Sequence, residues 1–137
     1  MNKATLNKQS HCVYSLHYHL VLVTKYRRKA LTSAMLERLH ELIRERCEAW
    51  EGALLEMNGE ADHVHILLTL PPKYALADFV NALKTGTSRR LRSEFAQHLS
   101  QFYRKPVLWS QTYCVISCGG APLDVIKQYI ENQDRPN

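Results

Sequence analysis

The chain has 137 residues, 45% of them apolar, with a net charge of +5 and a pI near 9.1. That predicts a single domain over residues 1–137, and its basic balance favours an anionic partner, of which nucleic acid is the commonest. No run approaches the roughly 18 apolar residues of a membrane span and no apolar signal segment is visible, so a cytoplasmic protein with no membrane partner is expected.

Residues 1–11 are polar and are expected to fray. From Val13 to Tyr26 the residues alternate as in a long strand. Tyr14, Leu16, Tyr18, Leu20 and Leu22 fall on one face; Ser15, His17, His19, Val21 and Val23 fall on the other. The strand runs into a basic turn, Lys25-Tyr26-Arg27-Arg28-Lys29, which is either a solvated loop or a phosphate contact. Thr32 or Ser33 is placed to cap a helix. Leu36, Leu39, Ile43, Cys47 and Trp50 then recur at helical spacing, and Glu37, Arg38, Glu41, Arg44, Glu45 and Glu48 form a solvent face. Gly52 is expected to end this helix. Ala53 to Met57 is predicted as a short strand and Asn58-Gly59 as a hairpin turn.

The hairpin leads into Asp62-His63-Val64-His65-Ile66-Leu67-Leu68-Thr69-Leu70. On a strand, Val64, Ile66, Leu68 and Leu70 share an apolar face, while His63, His65, Leu67 and Thr69 share the other. Two imidazoles at that spacing suit a divalent metal; the plainer reading is two histidines on a half-exposed strand. His17 and His19 have the same spacing, and nothing within either triplet chooses between them.

Pro71-Pro72 stops the strand, and a second helix begins near Leu76. Leu76, Phe79, Val80 and Leu83 form its apolar stripe, Leu91 and Phe95 extend it, and Gly86 weakens its middle. Between Lys84 and Lys105, six basic residues (Lys84, Arg89, Arg90, Arg92, Arg104 and Lys105) stand against Glu94 alone. Lys84, Ser88 and Arg92 lie on one side of the helix, with Thr85 and Thr87 adding hydroxyls. That mixture suits phosphate oxygens, and it also describes an ordinary solvated face. After a connector over 101–106, Trp109 to Cys118 is predicted as the last strand. Gly119-Gly120 follows as the most flexible point, and Pro122 opens a final helix with Asp124 near its positive end. Val125, Ile126, Tyr129, Ile130 and Gln133 lie on one side of it, Tyr129 and Gln133 one turn apart. On pattern alone Tyr129 is a core tyrosine. Cys12, Cys47, Cys114 and Cys118 form no Cys-x-x-Cys pair and are expected to be buried or free thiols.

The order β-α-β-β-α-β-α matches the split βαβ plan. The fold class is therefore α+β: a ferredoxin-like, RRM-like four-stranded antiparallel sheet with helices on one face, plus a C-terminal tyrosine-bearing helix. The same plan serves single-strand nucleic-acid binders.

Four blocks in this order resemble the single-tyrosine transposases of IS200/IS605-type insertion sequences, within the HUH endonuclease superfamily. They are Tyr18 to Lys29, Asp62 to Ile66 with Val64 as the hydrophobic middle residue, Leu83-Lys84 through Thr87 to Leu91, and Ile126 to Gln133. The resemblance covers nearly the whole chain. It implies that His63 and His65 are the metal-binding pair, that Gln133 completes the metal site, and that Tyr129 is the nucleophile. It sets His17 and His19 aside as the metal pair. It implies Mg²⁺ or Mn²⁺ as cofactor and single-stranded DNA with subterminal hairpins as substrate. It also implies a homodimer in which the tyrosine helix of one subunit can complete the site of the other. With the basic blocks, it points to Lys25, Arg27, Arg28, Lys84, Ser88, Arg89 and Arg92 as DNA contacts. Around Thr112 to Gly120 the chain has cysteines where the family more usually has small or hydroxyl residues.

The implied chemistry suits these residue types. A phenol, with a pKa of about 10, is a poor nucleophile at neutral pH, and a cation beside the scissile phosphate neutralises a non-bridging oxygen and aligns the group for in-line attack. Imidazole and amide ligands add no negative charge to such a site. The expected reaction is a transesterification through a 5′-phosphotyrosine, releasing a 3′-OH. The alternatives are a non-catalytic module binding single strands or hairpins, a domesticated enzyme processing repeated palindromes, and a small-molecule metalloenzyme using His63, His65 and a further ligand.

Overall fold

The computed structural model describes residues 7–9, 12–14 and 16–117. In chain order the elements are β1 (Asn7–Gln9), β2 (Cys12–Tyr14), β3 (His17–Thr24), a 3₁₀ turn (Lys25–Arg27), α1 (Ser33–Ala49), β4 (Ala53–Glu60), β5 (His63–Thr69), α2 (Leu76–Glu94), α3 (Ala96–Leu99) and β6 (Trp109–Ser117). The main sheet runs β4-β5-β3-β6 with every neighbour antiparallel. This is the split βαβ arrangement expected from the alternation. The final helix, with Gly119, Gly120, Tyr129 and Gln133, lies outside the described residues.

Two boundaries differ from expectation. The predicted long first strand is divided: β1 and β2 pair as a separate hairpin, with Asn7 opposite Tyr14, and the sheet strand begins only at His17. Residues 7–9 are therefore paired rather than frayed. Likewise Asn58-Gly59 is not the turn. Both residues lie inside β4, opposite His65 and Val64, and the chain turns at Ala61-Asp62. The glycine has another reason. A Cβ on Gly59 would lie 2.6 Å from Leu36 Cδ2 and 3.0 Å from Val64 Cγ1, so it is the seat where α1 packs closely on the strand.

Thr32 caps α1, its side chain accepting from the Met35 N–H at 3.2 Å. Met35, Leu39, Leu42, Ile43 and Cys47 face the core. At the other end the left-handed residue is Glu51 (φ 64°), while the Gly52 N–H closes back on the Cys47 carbonyl at 2.8 Å. Gly52 is required for a different reason: a Cβ there would sit 2.0 Å from the Thr69 carbonyl oxygen.

The sheet's inner face is the core. Leu20 and Leu22 of β3 and Val64, Ile66 and Leu68 of β5 are all buried beneath α1 and α2, with Phe79, Leu83 and Leu91 against them. A one-residue slip of β5 would turn Val64, Ile66 and Leu68 outward. At about 1.5–3 kcal/mol per buried aliphatic side chain, that would forfeit roughly 5–9 kcal/mol, comparable with the whole stability of a domain. The register, and with it the side on which the histidines stand, is thereby fixed.

Candidate active site

Register partners place the histidines in rows across the sheet face opposite the helices, which is not open throughout as the alternation suggested: Val21, His19 and Thr69 on it are buried. Asn58, His65, Val21 and Cys114 form one row; Glu60, His63 and Val23 the next; Glu56, Leu67, His19 and Ile116 a third. The His63 and His65 rings are 4.9 Å apart between centroids, and both residues are half-buried. His19 joins them: its ring lies 6.1 Å from that of His65, edge-on, and it is 2% exposed. His17, opposite Thr69, lies one row further along. The two triplets therefore share one face, with the His63 and His65 rings closer together than those of His65 and His19.

Asp62 is the residue that pattern reasoning passed over. Its carboxylate accepts from His63 Nδ1–H at 2.8 Å and pairs with Arg27 Nη2 at 3.3 Å. Burial works against its charge, but the His63 hydrogen bond and the Arg27 guanidinium outweigh it and hold the carboxyl below the usual range. An ionised carboxylate only accepts. His63 must then donate from Nδ1, which makes Nε2 the lone-pair nitrogen of the neutral ring. This is the carboxylate–histidine arrangement that orients metal ligands. The available signal was an acid directly before the first histidine, at the strand's entry.

The hairpin tip is clasped by the basic turn. The Thr24 N–H donates to the Asp62 carbonyl at 3.0 Å, and the Leu31 N–H donates to the Ala61 carbonyl at 2.9 Å. Within the turn, Tyr26 (φ 60°, ψ 17°) and Arg27 (φ 54°) are both left-handed. Each costs about 1–2 kcal/mol relative to the right-handed form. The surroundings enforce it: Thr24 Oγ1 donates to the Arg28 carbonyl at 2.7 Å, the Lys25 N–H to the Leu108 carbonyl at 2.8 Å, and Tyr103 OH to the Lys25 carbonyl at 2.7 Å. Arg28 Nη1 also donates to the Phe102 carbonyl.

Of the basic candidates, Lys25 and Lys84 are brought near each other. Lys84 Nζ donates to the Gln111 carbonyl at 3.0 Å and lies 5.6 Å from the Tyr113 ring centroid. Burial, and then the Lys25 charge, lower its pKa. Ser88 and Arg92 share a helix side, Arg92 Nε donating to Ser88 Oγ at 3.0 Å, and Arg89 is exposed. Arg27 is engaged by Asp62, and Arg28 is exposed. Thr87 does not belong with the outward hydroxyls. It is buried, donating to the Leu83 carbonyl at 2.7 Å and accepting from Trp109 Nε1 at 3.0 Å.

The donor chemistry suits a divalent cation: two adjacent imidazoles, one with its tautomer set by a carboxylate. Gln133, the further ligand implied by the resemblance, and Tyr129, the implied nucleophile, lie outside the described residues.

Comparison with known proteins covers the same span. A family model described as "Transposase IS200 like" matches residues 12–133. The chain is 32% identical over 121 residues to the ISDra2 transposase TnpA of Deinococcus radiodurans, covering 88% of this chain and 86% of that one. It is also 32% identical over 124 residues to the transposase for insertion sequence element IS200 of Salmonella typhimurium, covering 90% and 80%. Among solved structures, a putative transposase from Deinococcus radiodurans superposes with a TM-score of 0.77 at 35% identity, over 95% of this chain and 99% of that one. A REP-associated tyrosine transposase bound to a REP hairpin shares the fold at 10% identity, with a TM-score of 0.59 over 91% and 68%.

Proposed function

The chain belongs to the IS200-like transposase family, and from that premise we propose that it cuts and rejoins single-stranded DNA at insertion-sequence ends through a covalent tyrosine intermediate. Family membership makes it a DNA-processing enzyme. The observation that carries the finer reading is the His63–His65 pair on the sheet face opposite the helices, with His63 held by Asp62.

In this reading the Tyr129 hydroxyl oxygen attacks the scissile phosphorus in line. The P–O3′ bond breaks, the strand upstream leaves as a free 3′-OH, and the phenol's proton is lost to the medium while the departing oxygen takes one up. The downstream strand stays joined to Tyr129 through its 5′ phosphate. The phosphotyrosine ester is close in energy to the diester it replaces, so attack by another 3′-OH reseals DNA without ATP. His63, His65 and Gln133 would hold a Mg²⁺ or Mn²⁺ ion, which when bound neutralises a non-bridging phosphate oxygen. Asp62 keeps the His63 lone pair on Nε2. Lys25, Arg27, Arg28, Lys84, Ser88, Arg89 and Arg92 are assigned to the strand and its hairpin. The hairpin held by the REP-associated relative supports a nucleic-acid partner of that shape. Two copies of the chain, exchanging tyrosine helices, are the proposed assembly.

The test is a labelled single strand containing the element's end, assayed for a denaturant-stable protein–DNA adduct. Wild type forms it with a divalent metal; Tyr129→Phe does not. His63→Ala loses cleavage but keeps hairpin binding. An adduct in Tyr129→Phe would overturn the reading, and binding without any adduct in wild type would leave a non-cutting module.

A further inference from the structure

The most exposed large aromatic among the described residues stands in the basic turn after β3. Tyr26 is 71% exposed, on a left-handed backbone, in a turn held by hydrogen bonds donated by Thr24 and Tyr103 and by one that the Leu108 carbonyl accepts from the Lys25 N–H. A ring that served only packing would be turned inward; this one is held out. Two cations attend it. Lys25 Nζ is 5.4 Å and Arg28 Cζ 5.1 Å from its centroid. The next residue, Arg27, pairs with Asp62, which in turn holds His63. The ring is thus tied through one residue and two hydrogen bonds to the histidine pair.

An exposed ring with two loosely placed cations over it complements one ligand chemistry in particular: a planar base that takes their place on the ring and carries phosphates for them to pair with. We propose that Tyr26 is a stacking platform for a nucleobase of single-stranded DNA, with Lys25 and Arg28 taking the adjoining phosphates. This rests on the DNA-processing reading above and adds the residue that seats a base beside the site. Stacking tolerates any base, so Tyr26 contributes affinity and position, and sequence choice lies elsewhere. The left-handed backbone holds the ring in place before DNA arrives, so little ordering is needed on binding.

The experiment uses the full chain in EDTA, where no cleavage occurs. Fluorescence anisotropy measures binding of a labelled single strand of about 12 nucleotides and of an abasic strand of the same length. Tyr26→Gly is the central variant, because glycine adopts a positive φ without strain and the thermal midpoint is expected to hold or rise. Wild type and Tyr26→Phe should prefer the base-bearing strand, and Tyr26→Gly should bind it about tenfold or more weakly while binding the abasic strand as wild type does. Its salt slope should be unchanged, whereas Arg28→Gln lowers that slope by about 0.7. If Tyr26→Gly keeps the full preference for bases, the platform is overturned. Adduct formation, measured in a separate reaction with Mn²⁺ in place of EDTA, separates the two proposals. Wild type that forms adduct while Tyr26→Gly binds normally sinks the platform alone. Wild type that forms none sinks the cutting reading, while the base preference still reports on Tyr26.

Discussion

Replacing Asp62 by alanine should weaken metal binding and the fold by comparable amounts. The carboxylate makes one close hydrogen bond, to His63 Nδ1 at 2.8 Å, and one longer pairing with Arg27 at 3.3 Å. The His63 side chain is only 13% exposed, so losing its acceptor strands a polar N–H, at about 1–3 kcal/mol. Arg27 is 34% exposed and turns back to water, so its loss adds no more than about 1 kcal/mol. The main-chain contact from Thr24 to the Asp62 carbonyl survives the substitution. What does not survive is the fixed tautomer of His63. Removing an outer partner of a ligating histidine typically costs 10–100-fold in metal affinity, or about 1.4–2.8 kcal/mol. Mn²⁺ titration followed by electron paramagnetic resonance should show that loss in Asp62→Ala. Asp62→Asn retains an accepting oxygen and should lose less than about tenfold. Equal Mn²⁺ affinity in wild type and Asp62→Ala would refute the orienting role, and an Asn variant as poor as Ala would refute the hydrogen bond as its cause. Because the folded carboxyl is held below its usual pKa, the stability it confers over Asp62→Ala is complete above the ordinary carboxylate range. It disappears as pH falls through the lower folded value, so the two proteins should converge in stability in acid.

Gly52→Ala should destabilise more than Gly59→Ala, because its Cβ meets main chain (Thr69 O) while that of Gly59 meets the movable end of Leu36; with overpacking at about 1–3 kcal/mol or more, urea midpoints falling in the opposite order would contradict this. Burial pushes the Cys47 thiol up to about 12, so at pH 8 it should resist iodoacetamide until the protein unfolds, and peptide mass spectrometry showing early labelling would disprove its burial. Thr87→Val strands the Trp109 indole N–H and should lower stability by about 1–3 kcal/mol with little effect on DNA affinity, whereas an outward phosphate-binding threonine would give the reverse. Lys84→Gln removes a charge disfavoured by burial and by Lys25; the free protein should keep or gain thermal stability while the salt dependence of single-strand binding falls by about 0.7.

The sheet was legible wherever one face had to be buried. The strict alternation of β5 gave its faces and hence the side of the histidines, and the helical spacing of Leu36, Leu39, Ile43 and Cys47 gave α1 to within a residue of its cap. Local turn chemistry misled at Asn58-Gly59, because the sequence shows a permissive glycine without showing that Leu36 packs on it. The β1–β2 hairpin was missed because its strands are three residues each and carry no long alternation. Asp62 and Tyr26 were harder still. An acid at a strand entry and an aromatic in a basic turn acquire roles only when Arg27 and His63 converge on the first and solvent surrounds the second. The helix predicted to bear Tyr129 and Gln133 falls outside the described residues, and those two assignments rest on the family pattern.

Strand β5 interleaves two independent texts. Val64, Ile66 and Leu68 answer to the helices beneath, while His63, His65 and Leu67 answer to whatever occupies the opposite face. Selection can therefore edit the second set without disturbing the first. A library randomised at positions 65 and 67 alone should yield mostly folded proteins, and so offers a route to altered metal or strand preference on an unchanged scaffold.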